Sequence, residues 1–426
     1  MGRRVLFFGV TGIEKRSALH RLAEWARDHR SRQPRPKVID FEAEYLFKPA
    51  RGGERWHSFL DAEQRRQRQV WQTTWTRFNK EVLADPGAED VYISLHGCIV
   101  RGHYGVRCVA DVNAVARDAK PDLVVTLLDD VYDLWWRTEA RAGGSQRKGR
   151  PTIEQLLFAR RVELIVADQV AHSLEPPAEH FVISVAHPCE TLGNRIYGPS
   201  PIVVYLCFPI SAPRDLKREG DPAGEAAILG FLKTAYDRQA KNPNLVCVCP
   251  LAIDELPLLA ALDRPENKTE VRDAHVSLPA IKFDRDALRW DLTSVWSPAG
   301  MLCPGPPAAA ERAPIPEEQL KAASGMIHSD VGWRDYRLVS QSAYLAAFNP
   351  KFRNRGDLSR SVHEEIRFAT SICPVFVYQD PEHDPDGVVK TQFPQESGTM
   401  PRGPQTCMVE LKESVEHMFD DIEHDA

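Results

Sequence analysis

The sequence predicts an α/β protein built as two doubly wound parallel-sheet domains, and three observations predict it. At 426 residues the chain exceeds what one ordinary hydrophobic core organises. In its first half, short apolar runs alternate with amphipathic helical stretches, the pattern of strands covered by helices on both faces. That alternation stops at "NRIYGPSP" (Asn194 to Pro201) and then begins again. The break sets a boundary near residue 199 and gives domains 1–199 and 200–426.

The elements follow in order. "RVLFFGV" (4–10) is a buried strand, and a glycine turn leads into the helix "KRSALHRLAEWARDH" (15–29), with Leu19, Leu22 and Ala26 on one face. Further strands are "PKVIDF", "DVYISLH", "DLVVTLL" and "HFVISVA", with "IEQLLFARRVELIVADQVAHSL" as a long helix before the last. The second half repeats the scheme with "IVVYLCF", the helix "GEAAILGFLKTAYDRQ", "NLVCVCPL", "AYLAAFNP", the helix after Ser359 and "PVFVYQD". Between the third and fourth of these lies a long excursion containing "SPAGMLCPGPPAAAERAPIPEEQ" (297–319), read as a surface loop or as a flap over a site. The acidic end "ESVEHMFDDIEHDA" reads as a solvated terminal helix or tail.

Composition narrows the function classes. The chain is 43% hydrophobic and 27% charged, without an apolar run of membrane-spanning length. The start "MGRRVLFFGVTG" carries too short an apolar run for a signal peptide and leads into a turn. A formal charge of −6 argues against non-specific nucleic-acid binding. The nine cysteines form no CxxC pair, and Cys247 and Cys249 alternate within a strand, where packing is their expected role. We expect a reduced, cytoplasmic protein with no structural metal and no membrane partner.

"GVTGIEKRS" (Gly9 to Ser17) follows a strand and opens a helix, where backbone N–H groups favour phosphate oxygens. Gly9 and Lys15 match G-x-x-x-x-G-K-[ST], and Gly12 and Ser17 complete the candidate nucleotide-binding set. Glu14 stands in place of the second glycine and Arg16 in place of the Ser/Thr that holds magnesium. With this loop in place, residues 1–185 resemble the adenylate-kinase-like P-loop nucleotide kinases. The resemblance also rests on "KPDLVVTLLDDVYDLWWRTEARAGG" (120–144) and the helix after it. It implies an arginine-bearing lid segment at Arg137 and Arg141, followed by the basic "SQRKGR" (145–150). These arginines read as phosphate clamps or as a solvated helix face. His96, at a strand end, faces a nucleotide or is structural. ATP and Mg²⁺ are the candidate ligands of this half, with binding favoured over turnover.

"SRSVHEEIRFA" (Ser359 to Ala369) places two glutamates at a helix start. Ser361-x-x-Glu364 matches a capping box, which gives Glu364 a structural task. Taking about 100° per residue from Val362, Ile366, Ala369 and Ile372 fall at roughly 40°, 340° and 280°, and Glu365 at about 300° joins this inward stripe. A buried carboxylate is costly unless it is paired or used. Ligands of open α/β sheets collect at the carboxyl ends of strands. Those ends supply Ser211 and Arg214 for a hydroxyl or phosphate, Asp254 and Glu255 for a sugar diol, and Asn349 beside the glutamate helix. Arg334 and Asp335 precede the "AYLAAFNP" strand.

The order "VYLCFPIS … CPLAIDEL … RDYRLVSQSAYLAAFNP … SRSVHEEIRFA … PVFVYQD" resembles the nucleoside 2-deoxyribosyltransferase fold over about 201–380. That family includes nucleoside transferases and nucleoside 5'-monophosphate N-glycosidases. Glu365-Ile366-x-x-Ala369 is similar to its E-[IL]-[GA]-x-A, so the resemblance implies Glu365 as the nucleophile at the anomeric carbon. Arg367 stands where a small residue is usual, Ser359 where an aspartate is often found, and Ser342-Ala343 where S-D is common. Asp335 is the nearest replacement acid. The resemblance also implies a possible homodimer and a reaction with no required cofactor. The leading expectation is a nucleotide-processing enzyme acting at the N-glycosidic bond of a nucleoside or nucleotide. The alternatives are a nucleoside monophosphate kinase using Lys15 and a catalytically decayed nucleotide sensor.

Overall fold

The computed structural model describes residues 2–29, 34–48, 56–84, 87, 89–101, 105–141, 151–273, 276–283, 290–303, 314–350, 359–379, 409–412 and 414–424. The chain is α/β and holds two five-stranded parallel sheets, one in each of two compact units. The first unit comprises Met1–Ala186, Pro257–Phe283 and Leu302–Asp330; the second comprises His187–Leu256, Asp284–Met301 and Val331–Ala426.

In the first unit, β1 (Arg4–Phe8) is buried after its first residue and leads into α1 (Lys15–His29), the helix expected from periodicity. β2 (Lys37–Asp40), α2 (Trp56–Asp61), α3 (Gln64–Phe78) and β3 (Val91–Ser94) follow. The hairpin of β4 (Cys98–Arg101) and β5 (Gly105–Cys108) precedes α4 (Val112–Ala119). Then come β6 (Leu123–Leu128), α5 (Val131–Arg141), α6 (Ile153–His172) and β7 (Glu179–Ser184). The sheet order is β2-β3-β1-β6-β7, with every neighbouring pair parallel. Every residue of β6 is buried, which is why "LVVTLL" reads as a continuous apolar run. α6 starts at a full capping box, in which Thr152 Oγ1 accepts from the Gln155 N–H and Gln155 Oε1 accepts from the Thr152 N–H. Trp71 and Trp75, one turn apart on α3, stack at 5.2 Å, and Phe41 meets both edge-on to anchor the core.

The second unit opens with α7 (Cys189–Tyr197), β8 (Ile202–Cys207), α8 (Ser211–Arg218), α9 (Ala223–Lys241) and β9 (Leu245–Val248). The chain then returns to the first unit. There β10 (Lys268–Asp273), β11 (Val276–Ile281) and β12 (Ile315–Pro316) form a small antiparallel sheet. This sheet lies in the excursion, and its strand β12 falls within the stretch expected as a loop or flap; residues 304–313 of that stretch lie outside the described residues. α10 (Glu317–Ser340) follows, then β13 (Tyr344–Asn349), α11 (Arg360–Ala369), β14 (Val375–Gln379), β15 (Val409–Lys412) and α12 (Val415–His424). The sheet order is β15-β14-β13-β8-β9, again all parallel.

Strand order reverses between β8 and β13, the position outside whose carboxyl ends open α/β sheets collect ligands. Two expectations need correction. α12 is not merely solvated, because Met418, Phe419 and Ile422 are fully buried at helical spacing. Ile372 does not share the inward stripe of α11. That helix ends at Ala369, and Ile372, beyond it, is 38% exposed.

Candidate functional site

At the carboxyl end of β8, Tyr205 and Cys207 lie two residues apart and project to the same face of the sheet. α11 delivers Glu365 to that face, with Val362, Ile366 and Ala369 buried beside it. The N-cap of α11 is Ser359, whose Oγ accepts from the Val362 N–H at 3.4 Å. The expected Ser361–Glu364 capping box is therefore absent. Ser361 lies inside the helix, and Glu364 accepts from Arg360 Nε at 2.8 Å on the exposed side. Ser359, a candidate substrate contact, serves here as the cap.

Glu365 Oε2 accepts from Tyr205 Oη at 3.0 Å and from Cys207 Sγ at 3.1 Å. Burial pushes its carboxyl up to about 8, and the nearby Asp335 charge adds to the rise; Cys207, Tyr205 and Arg334 act in the opposite direction. Asp335, on α10, is also buried and raised, chiefly by desolvation against the pull of Arg334. Arg334 donates to Asp335 Oδ1 from Nε at 2.9 Å and from Nη2 at 2.8 Å, and to the Ile253 carbonyl from Nη1 at 2.6 Å. Asp254, after β9, is raised by burial while accepting from Arg214 Nη1 at 2.6 Å. Glu255 is 1% exposed and adds to the rise at Asp335.

Glu365, Asp335, Asp254 and Arg214 thus belong to one charged cluster with Arg334. Ser211 opens α8 and is exposed, and Asn349 ends β13 buried. Sequence reasoning missed Tyr205 and Cys207. The available signal was the two-residue alternation at the end of a strand already placed at the site edge. A cleft of about 340 Å³, lined in part by Phe231, Phe348 and Tyr378, opens on the opposite face of the sheet. Phe348 alternates with Ala347, the register partner of Cys207, so the cleft is not the Glu365 site.

In the first unit, the loop after β1, the candidate phosphate cradle, turns through left-handed residues before α1. Gly12 takes φ 103°, and Glu14, in the second glycine's place, is also left-handed at φ 57°. A Cβ at Gly9 would lie 3.0 Å from the Leu127 carbonyl oxygen. Lys15 is buried and donates to the Gly9 carbonyl at 2.6 Å. Burial lowers its pKa, against the raising charges of Glu163, Glu42 and Asp40. Arg137 is buried too, donating from Nη1 to Asp129 at 2.6 Å and to the Gly12 carbonyl at 2.9 Å. Its solvated-face reading therefore falls. Ser17 and Arg16 are exposed. Glu42 accepts from the His96 backbone N–H at 2.7 Å. The Arg141 side chain and residues 145–150 lie outside the described residues. With its ammonium on the Gly9 carbonyl, Lys15 would have to leave that contact to meet a ligand in the turn.

Among the described residues, no helix is long and apolar enough to cross a membrane. No family model matches the chain, and no curated protein matches it. Among solved structures, the chain is similar to a sugar kinase from Janibacter sp. HTCC2649, in an unliganded crystal structure. The identity is 15% and the TM-score 0.26, over 46% of this chain and 92% of that one. Likeness at that level does not establish a shared fold.

Proposed function

We propose that the second unit cleaves or transfers at the N-glycosidic bond of a nucleoside or nucleotide, with Glu365 as nucleophile and Asp335 as acid. The observation that carries this reading is a buried glutamate at the strand-order reversal, one oxygen of which is held by two donors. A carboxylate oxygen bonds to the anomeric carbon as the C–N bond breaks, and the bonding pair leaves with the base. Asp335, buried in the same cluster with its pKa raised by desolvation, is the acid assigned to give a proton to the departing nitrogen. Water or a second base then displaces the glutamate, which separates hydrolase from transferase.

This chemistry needs no cofactor. In the same reading the first unit binds a nucleotide, with ATP and Mg²⁺ as candidates, supported by the left-handed turn at Gly12 and Glu14. Glycosidic chemistry is tested by chromatography for free base after incubation with ribo- and deoxyribonucleosides and their 5'-monophosphates, with and without an acceptor base. Wild-type protein should release base and Glu365→Ala should release none. Equal release by both proteins, or none from the wild type, sinks the proposal.

A further inference from the structure

We propose that Cys207 is a positioning residue for Glu365, its thiol acting with Tyr205 to hold Oε2 so that Oε1 is the oxygen presented for bond formation. The inference deepens, and rests on, the reading of Glu365 as nucleophile. Among the described residues, both side-chain donors to this carboxylate fall on the same oxygen. Charge gathered on Oε2 is stabilised there, which leaves bond formation to the other oxygen.

A buried cysteine is usually a small core residue with a weak S–H donor. Cys247, in the neighbouring strand, behaves so and turns its sulfur to the Ala235 carbonyl at 3.7 Å. Cys207 instead approaches a carboxylate at 3.1 Å. Its own pKa is pushed well up by burial and by the Glu365 charge, so it remains a proton donor across the working range. Tyr205 is raised for the same two reasons. The other charged or titratable groups acting on Glu365 are Arg334 and Asp335, and Tyr336 of the same helix also senses its charge. Of this set, the thiol and the phenol donate to it directly.

The test compares wild type, C207S and C207A by the pH profile of base release. A hydroxyl can replace the donated hydrogen bond and a methyl cannot, and a hydrogen bond to a charged group is worth about tenfold in rate. C207A should therefore lose about tenfold in kcat/KM at pH 7 with its pH midpoint moved upward by about one unit, and C207S should stay within about threefold of wild type. A C207A profile that superimposes on wild type overturns the proposal. So does a loss that C207S does not restore. Infrared difference spectra, wild type minus C207A, give a readout that needs no turnover. The S–H band should lie below that of an unbonded thiol and move to the unbonded position in Glu365→Ala. A band that Glu365→Ala leaves unmoved overturns the contact, whereas absent base release with a moved band overturns only the glycosidic reading.

Discussion

Glu365 carries a charge penalty that has a sign and a pH window. Its folded pKa, about 8, lies above the ordinary carboxylate value of 4.5, so the folded state holds a proton that the unfolded chain releases between these values. The associated stability is complete below about pH 4 and is lost as pH rises through 8. Glu365→Gln should therefore melt higher than wild type, with a larger gap at pH 8.5 than at pH 5, amounting to a few kcal/mol at about 1.4 kcal/mol per pKa unit. An equal gap at both values would contradict the assigned environment. Glu14 offers a second residue-scale outcome. A non-glycine residue in the left-handed region costs roughly 1–2 kcal/mol, so Glu14→Gly should raise the midpoint of denaturant unfolding. Helical arithmetic alone turned Glu365 inward, because its apolar neighbours Val362, Ile366 and Ala369 lie at i−3, i+1 and i+4. Its partners were not legible, since Tyr205 is 160 residues away in sequence and such pairings leave no local trace. The cap was misassigned by two residues because serines stand at both 359 and 361 and only backbone geometry selects between them.

Among the elements, long periodic segments were the most legible. α1 has the bounds its sequence predicts, and the strands of both parallel sheets announce themselves as apolar runs, except β15. "VELK" is half-buried throughout and half charged, so nothing in it marks a strand until β14 is there to pair with it. α12 was read from its charge, although Val415, Met418, Phe419 and Ile422 form an i, i+3, i+4, i+7 stripe. Phe419→Ala should cost about 3–5 kcal/mol by chemical denaturation, since the ring is fully buried. A loss within about 0.5 kcal/mol would mean a surface helix. α5 carries a comparable dependence. Arg137→Ala leaves Asp129 buried without its ion-pair partner and should destabilise by about 3–5 kcal/mol. An unchanged midpoint would show that the pair does not form.

For the whole molecule, the two proposed ligand sites have separable readouts. A nucleotide bound by the first unit should raise the thermal midpoint of wild type and of Glu365→Gln, and the rise should vanish in Lys15→Met. A shift lost in Glu365→Gln but kept in Lys15→Met would assign nucleotide binding to the second unit. The strand order of that unit also has a consequence for how the protein is made. β1 to β7 emerge from the ribosome as one uninterrupted stretch, so the first parallel sheet has all its strands once Ser184 is out. β8 then waits for β13, its partner on the side away from β9, while more than a hundred further residues are translated. At about 5–20 residues per second that wait is on the order of ten seconds. Throughout it, the apolar edge "IVVYLC" is unpaired on the side that β13 later covers. Slowed translation across residues 250–340 should therefore lower soluble yield, a vulnerability set by where the chain interrupts its second sheet.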